Sequence, residues 1–272
     1  LMTSEMPIRW KIYIVPFNKK CKMYNPYSLF GKTILVTGAS SGIGQATAIE
    51  CSRMGATLVL TGRNEERLLE TYNSLETEGQ VHQIFTADLS SADGISALVT
   101  KLPQLDGCVN NAGIGKTLPI PFISWDELDR IYCLNSFAPM LLTKELVRKK
   151  KLSNPSSLVF TLSIAGNFNI LPGNAIYGSA KTSLSAFVKY AAVELAAKGI
   201  RCNAVSPGMV NTPLIDKQVY SEEDKSKDMS LYPLKRYGKP EEIAFAIIYL
   251  LSNASAWVTG TNLVIDGGRS LK

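Results

Sequence analysis

The chain has 272 residues, 46% of them hydrophobic and 19% charged, with a formal net charge of +6 from 29 basic and 23 acidic side chains. That balance fits a globular protein of one large or two small domains and excludes a disordered chain. The basic excess suits a phosphate-bearing ligand, and the lack of an aromatic-interleaved basic stripe argues against nucleic acid.

Five dispersed cysteines (21, 51, 108, 133 and 202) without C-x-x-C spacing read as reduced, mostly buried thiols of a cytoplasmic protein. A single histidine, His82, excludes a histidine-rich metal site, and no metal is expected. The longest apolar run, Ile243 to Leu251, falls far short of the ~18 residues of a membrane span.

Residues 1–30 are set apart as an N-terminal extension. Their apolar IRWKIYIVPF is interrupted by Pro16, and the basic NKKCK follows it, the reverse of a signal peptide's order. Residues 1–22 are expected to be an upstream or non-native remnant without ordered structure, with a membrane-surface anchor as the alternative.

From Lys32 onward, strand and helix patterns alternate. KTILVTG (32–38) leads to the helical IGQATAIECSRMG, and ATLVLTG (56–62) leads to NEERLLETYNSLETEG, with apolar residues at Leu68, Leu69, Tyr72 and Leu75. VHQIFTADLS is a third strand, SADGISALVTKL a helix, and LDGCVNNAG (105–113) a fourth strand with its turn. A long helix over 125–150 precedes SSLVFTLS, and another over 175–198 precedes GIRCNAVSPG. A polar stretch over 213–233 lacks periodicity and reads as a mobile lid over a substrate. EEIAFAIIYLLSN then leads to a final strand, TNLVIDGG. About seven strands spaced for parallel pairing give a single-domain, doubly wound α/β (Rossmann) fold over residues 31–272, with helices on both faces.

TGASSGIG at 37–44 fits two chemistries. Gly38-Ala39-Ser40-Ser41-Gly42 matches the G-x-S-x-G nucleophile elbow, but that motif needs an acid and then a histidine downstream. The lone His82 lies within the third strand, and the intervening acids are glutamates on surface-like helices. The phosphate reading fits better. Gly38 lets the chain leave the strand tightly, while Gly42 and Gly44 let backbone and helix N-terminus approach a diphosphate. Tyr177 and Lys181 share a helix face at i, i+4, and Ser163 ends a strand at the sheet's carboxyl edge.

These motifs occur in order with Asp88-Leu89, NNAG at 110–113, Asn135, Pro207-Gly208 with Thr212, and the closing VTGTNLVIDGG. Together they make residues 31–268 resemble the short-chain dehydrogenase/reductase family, nearest its 3-oxoacyl-acyl-carrier-protein reductase branch. The resemblance implies catalysis by Ser163, Tyr177, Lys181 and Asn135, the last anchoring a proton-relay water. It implies a cofactor bound by Gly38, Ser40, Ser41, Gly42, Ile43 and Gly44, and by Arg63, Asp88 and Leu89. The NNAG residues Asn110, Ala112 and Gly113 would add to that site, as would Tyr177, Lys181, Pro207, Gly208, Val210 and Thr212. Two departures stand out: CLNSF around Asn135, and one extra residue between Ser163 and Tyr177.

Tyr177 would supply the proton for a reduced carbonyl, with the Lys181 ammonium lowering its pKa and Ser163 orienting the oxygen. The second strand ends in Gly62-Arg63 with no acid to bind a ribose 2′-hydroxyl. Arg63 can pair with a 2′-phosphate, and Ser40 can add a hydroxyl, so NADP(H) is the expected cofactor. The leading reading is an NADPH-dependent carbonyl reductase, extending to 3-oxoacyl thioesters. Alternatives are a sugar, polyol or steroid-type alcohol dehydrogenase, or a non-catalytic NADP-binding regulator. Lys144, Arg148 and the lysines at 149–151 are candidate contacts for a carrier-protein substrate. The family likeness also implies a homotetramer or dimer through the helices over 125–150 and 175–198 and the last strand.

Overall fold

The computed structural model describes residues 24–212 and 221–271. Seven strands form one sheet: β1 (Thr33–Thr37), β2 (Thr57–Gly62), β3 (Gln83–Thr86), β4 (Leu105–Asn110), β5 (Leu152–Thr161), β6 (Ile200–Pro207) and β7 (Asn262–Ile265). All pair in parallel, in the spatial order β3-β2-β1-β4-β5-β6-β7. The helices are α1 (Gly42–Arg53), α2 (Glu65–Asn73), α3 (Ala92–Lys101), α4 (Trp125–Tyr132), α5 (Ala138–Arg148), α6 (Ala175–Leu195), α7 (Glu222–Ser230) and α8 (Pro240–Leu251).

Strand side chains alternate between the two faces, and here both faces are covered. Ile34, Val36, Leu58 and Leu60 pack under α1 and α8 against Ala48, Cys51, Ile243 and Ile247. Their neighbours Leu35 and Val59 point the other way, to Ile95, Leu98, Leu142, Leu184 and Val188 of α3, α5 and α6. Each such fully buried aliphatic side chain stabilises the fold by about 1.5–3 kcal/mol. Side-chain caps set several helix starts: Asn64, Ser91 and Ser124 accept from the backbone N–H of Arg67, Gly94 and Glu127. At the start of α8, Pro240 occupies the first turn beside Glu241 and Glu242. The doubly wound fold expected from the alternating patterns is the one observed.

The packed structure reaches upstream of the expected boundary at Gly31. Leu29 is fully buried in the core under α1 and α8, and its N–H donates to the Met54 carbonyl at 2.9 Å. Tyr27 stacks obliquely on Tyr249, and Ala254 N–H reaches the Pro26 carbonyl. The expectation for residues 1–22 lies outside the described residues.

His82 is buried just before β3. Its Nδ1 accepts from Leu58 N–H at 3.0 Å, and its other ring nitrogen meets the Glu76 carbonyl, so the ring serves the fold. Cys51, Cys108 and Cys202 are buried free thiols. Among the described residues no acidic, histidine or cysteine group has metal-site geometry, and no helix is long and apolar enough to cross a membrane.

The stretch read as a lid is described only in part. Residues 213–220 lie outside the described residues, but α7 follows them, capped by Ser221 and carrying a Lys227–Glu223 ion pair. Tyr232 is only 2% exposed, and its hydroxyl accepts from Met209 N–H at 3.1 Å. The far end of the segment is therefore anchored in the fold.

Candidate active site

The sheet reverses its winding between β1 and β4, and ligands of such sheets bind at the carboxyl ends of the strands flanking the reversal. There the chain leaves β1 through Gly38 at φ +64° and enters α1 through Gly42 at φ +57°. A Cβ on Gly38 would lie 2.9 Å from Ala112 Cα. One on Gly44 would collide with the Gly38 carbonyl and with Asn111 Nδ2. The glycines thus close β1, α1 and the NNAG turn into one tight cradle. The α1 N-cap, Ser41, makes no side-chain cap, and its first turn carries no acid, so its N–H donors suit an anion. Asn110 is buried beside this cradle with both side-chain polar atoms unpartnered. These features fit a bound diphosphate-bearing group.

Thr37 and Asn111 hold the cradle together. Thr37 Oγ1 donates to the Val109 carbonyl and accepts from the N–H groups of Asn111 and Ala112 at 2.9 and 3.0 Å. Asn111 Nδ2 donates back to the Thr37 carbonyl at 3.1 Å. Sequence reasoning singled out neither residue, although both sit inside its motifs. The threonine closing β1 and the second NNAG asparagine were the available signals.

The side chains expected to be catalytic converge further along the same edge. β5 ends at Thr161 and delivers Ser163, while Tyr177 and Lys181 project from the first turns of α6. The Ser163 hydroxyl accepts from Ala165 N–H at 3.1 Å and faces the Tyr177 phenol, whose proton loss it favours. Lys181 is 4% exposed, donates to the Thr161 carbonyl at 2.8 Å, and lies 6.0 Å from the Tyr177 ring centroid. Burial without a carboxylate partner pulls its pKa down to about 8. Burial pushes the Tyr177 phenol up, countered in part by the Ser163 hydrogen bond. The expected lowering of Tyr177 by Lys181 does not set its direction: loss of hydration is the largest cause, and only Ser163 opposes it.

The comparisons agree with this geometry. A family model described as enoyl-(acyl carrier protein) reductase matches residues 38–270. The 3-oxoacyl-acyl-carrier-protein reductase of Rickettsia prowazekii is 36% identical over 247 residues, covering 88% of this chain and 97% of that one. The chain belongs to the short-chain dehydrogenase/reductase family. It is accordingly an oxidoreductase. Glucose 1-dehydrogenase of Gluconobacter oxydans is 33% identical over 89% of this chain and 92% of its own. The solved Pseudomonas aeruginosa RhlG/NADP active-site complex superposes with a TM-score of 0.85 at 29% identity, covering 91% of this chain and all of that one.

The remaining residues expected from the family likeness fall into three groups. Asn135 lies in a π-turn, Cys133–Phe137, that joins α4 to α5. It is fully buried, and a Cβ on Gly113 would meet both its Oδ1 and Lys181 Nζ. Its Oδ1 accepts from Ile114 N–H and its Nδ2 donates to the Ile114 carbonyl, so its side chain fixes the turn after NNAG. Both polar atoms of the side chain are thus engaged in positioning that turn.

A second group gathers at the end of β2. Ser40 Oγ lies 3.6 Å from the position of a Cβ on Gly62, and Arg63 is exposed beside it. Across β3, exposed Asp88 accepts from both the N–H and the hydroxyl of Ser90, which with Arg63 holds its carboxyl below the usual range. Ser91, not Asp88 or Ser90, caps α3. Leu89 is buried in the core.

The third group lines the exit of β6. Pro207 is buried, and Gly208 donates to the Ile265 carbonyl. Val210 turns its side chain into the core, so its contribution to a ligand is limited to backbone. The Thr212 side chain stands over Gly42, with Cγ2 3.1 Å from where a Cβ would be. Ile43 packs partly against the core under α1.

Proposed function

We propose that this protein is an NADP(H)-dependent carbonyl reductase in which Ser163, Tyr177 and Lys181 perform the proton chemistry. The convergence of those three groups at the open carboxyl edge of the sheet carries the proposal. The glycine cradle, the unpartnered Asn110 amide and the uncapped α1 N-terminus are the features that fit the dinucleotide. Arg63 and Ser40, with no acid at the end of β2 to bind a ribose 2′-hydroxyl, favour NADP(H), as does the P. aeruginosa relative solved with NADP.

NADPH, when bound, supplies the hydride. Ser163 hydrogen-bonds the carbonyl oxygen of the substrate and orients it. Tyr177 donates its phenolic proton to that oxygen as negative charge develops there. A phenol pushed up by burial keeps its proton at neutral pH, which suits it as the acid of a reduction. Lys181, mostly an ammonium at neutral pH, sits close enough to stabilise the phenolate left behind. The Thr161 carbonyl and the Gly113 turn hold Lys181 in place.

The substrate reading is a 3-oxoacyl thioester, supported by the Rickettsia relative. The Gluconobacter relative supports a second reading, a sugar or polyol. Steady-state NADPH oxidation across acetoacetyl thioesters and keto sugars tests both. Preferential turnover of the thioester supports the first reading, and preferential turnover of the sugar overturns it. For assembly we favour a homo-oligomer, because α6 exposes Tyr190 and Val193 at 69% and 79%. A sedimentation mass of 29.7 kDa would contradict that.

A further inference from the structure

A cavity of about 440 Å³ opens at the opposite, amino-terminal edge of the sheet, away from every group discussed above. Lys32 before β1, Asp106 of β4, Ser156 of β5 and Arg201 of β6 meet there under Trp257. Its volume lies in the range of small-molecule sites.

Three features of its wall point to a ligand. Ser156 is 5% exposed, and its Oγ is buried without a hydrogen-bond partner. A buried hydroxyl left unpaired is unfavourable, and a ligand acceptor would relieve that cost. Trp257 is fully exposed on the rim, an aromatic face open for stacking. The polar groups are also rich in donors. Lys32 Nζ uses two of its N–H groups, on the Leu251 carbonyl and Asn253 Oδ1. Arg201 donates to the carbonyls of Leu250, Ser252 and Val258 and keeps further N–H groups. Burial holds the Lys32 ammonium below its usual range, Asp106 opposes that, and Arg201 reinforces it. Two cations against one carboxylate leave a single positive charge, which matches one negative charge and not a dianion.

We propose that this basal cavity binds a small amphiphilic monoanion, a carboxylate on an aromatic body, with Lys32 and Ser156 holding the carboxylate and Trp257 stacking on the ring. The proposal is independent of the catalytic reading, since no residue is shared between the two edges.

Isothermal titration of the full chain with phenylacetate, and with neutral phenylacetamide, tests it. Phenylacetate is expected to bind one saturable site, with phenylacetamide more than about tenfold weaker. Trp257→Ala, Ser156→Ala and Lys32→Met should each weaken phenylacetate severalfold or more, while Tyr177→Phe leaves it unchanged. Trp257 is fully exposed and Ser156→Ala removes a single oxygen, so both variants remain informative if Lys32→Met fails to fold. The proposal is overturned by any of four results: no saturable binding, equal binding of the amide, binding unaffected by Trp257→Ala and Ser156→Ala, or binding lost in Tyr177→Phe.

Discussion

Lys181, proposed above as a catalytic group, is held at the expense of the resting fold. It is buried with one carbonyl for a partner, and its pKa falls from 10.5 to about 8. Below pH 8 both folded and unfolded chains hold the proton, and the burial cost of the charge is fully present. Between about pH 8 and 10.5 the unfolded chain binds more protons, so stability rises with pH by up to ~3 kcal/mol from this group. The buried thiols Cys51, Cys108 and Cys202, raised by desolvation, act the other way above their ordinary value of 9.0. A comparison of wild type with Lys181→Met cancels them. The variant should be the more stable protein at pH 7 in denaturant titrations without cofactor, and the difference should shrink as pH rises to 10. A variant less stable at pH 7 would show that the ammonium is not strained. At the end of β2, Arg63→Ala should lower kcat/KM for NADPH by about 10- to 100-fold and leave NADH nearly unchanged, since a charge-assisted hydrogen bond contributes ~1.5–3 kcal/mol. Equal use of NADH and NADPH by the wild type would remove the basis for assigning Arg63 to a 2′-phosphate.

At the scale of elements, the β1–α1 junction is the most constrained part of the site. Gly44 lies within α1 against the Gly38 carbonyl and Asn111, with no space for a methyl group. Gly44→Ala must push α1 away from β1 or displace Asn111. It should cost roughly 1–3 kcal/mol of stability, read as a lower urea midpoint, and weaken NADPH binding as the cradle opens. A variant with unaltered midpoint and cofactor affinity would contradict the close-packed cradle. Much of this junction was legible in TGASSGIG, because glycine spacing reports where backbone must approach backbone. The clamp made by Thr37 and Asn111 was not, since a hydroxyl and an amide bonding across two strands leave no periodic signal. α7 escaped for a related reason. Its helicity comes from the Ser221 cap and the Glu223–Lys227 pair, not from an apolar stripe. Tyr232, read as part of the same polar loop, is a core residue whose burial depends on tertiary packing that a local window does not contain.

For the molecule as a whole, alternating strand and helix patterns were enough to give a parallel sheet wrapped on both sides, because both-face burial makes central strands such as β1 and β2 largely apolar. The order of strands decides where chemistry can occur. With β1 and β4 adjacent at the reversal, the glycine cradle and the proposed catalytic groups of β5 and α6 share one edge. Order did not carry the electrostatics: the pKa directions of Tyr177 and Lys181 depend on burial depth, which the i, i+4 spacing alone does not give. In the proposed reaction Tyr177 is the proton donor of an NADPH-dependent reduction. Its most direct test compares wild type with Tyr177→Phe in stopped-flow NADPH oxidation with the best carbonyl substrate, alongside NADPH affinity by fluorescence titration. The expected outcome is a fall in the hydride-transfer rate of about 10²- to 10⁴-fold with NADPH affinity retained. A variant that oxidises NADPH at the wild-type rate would contradict it.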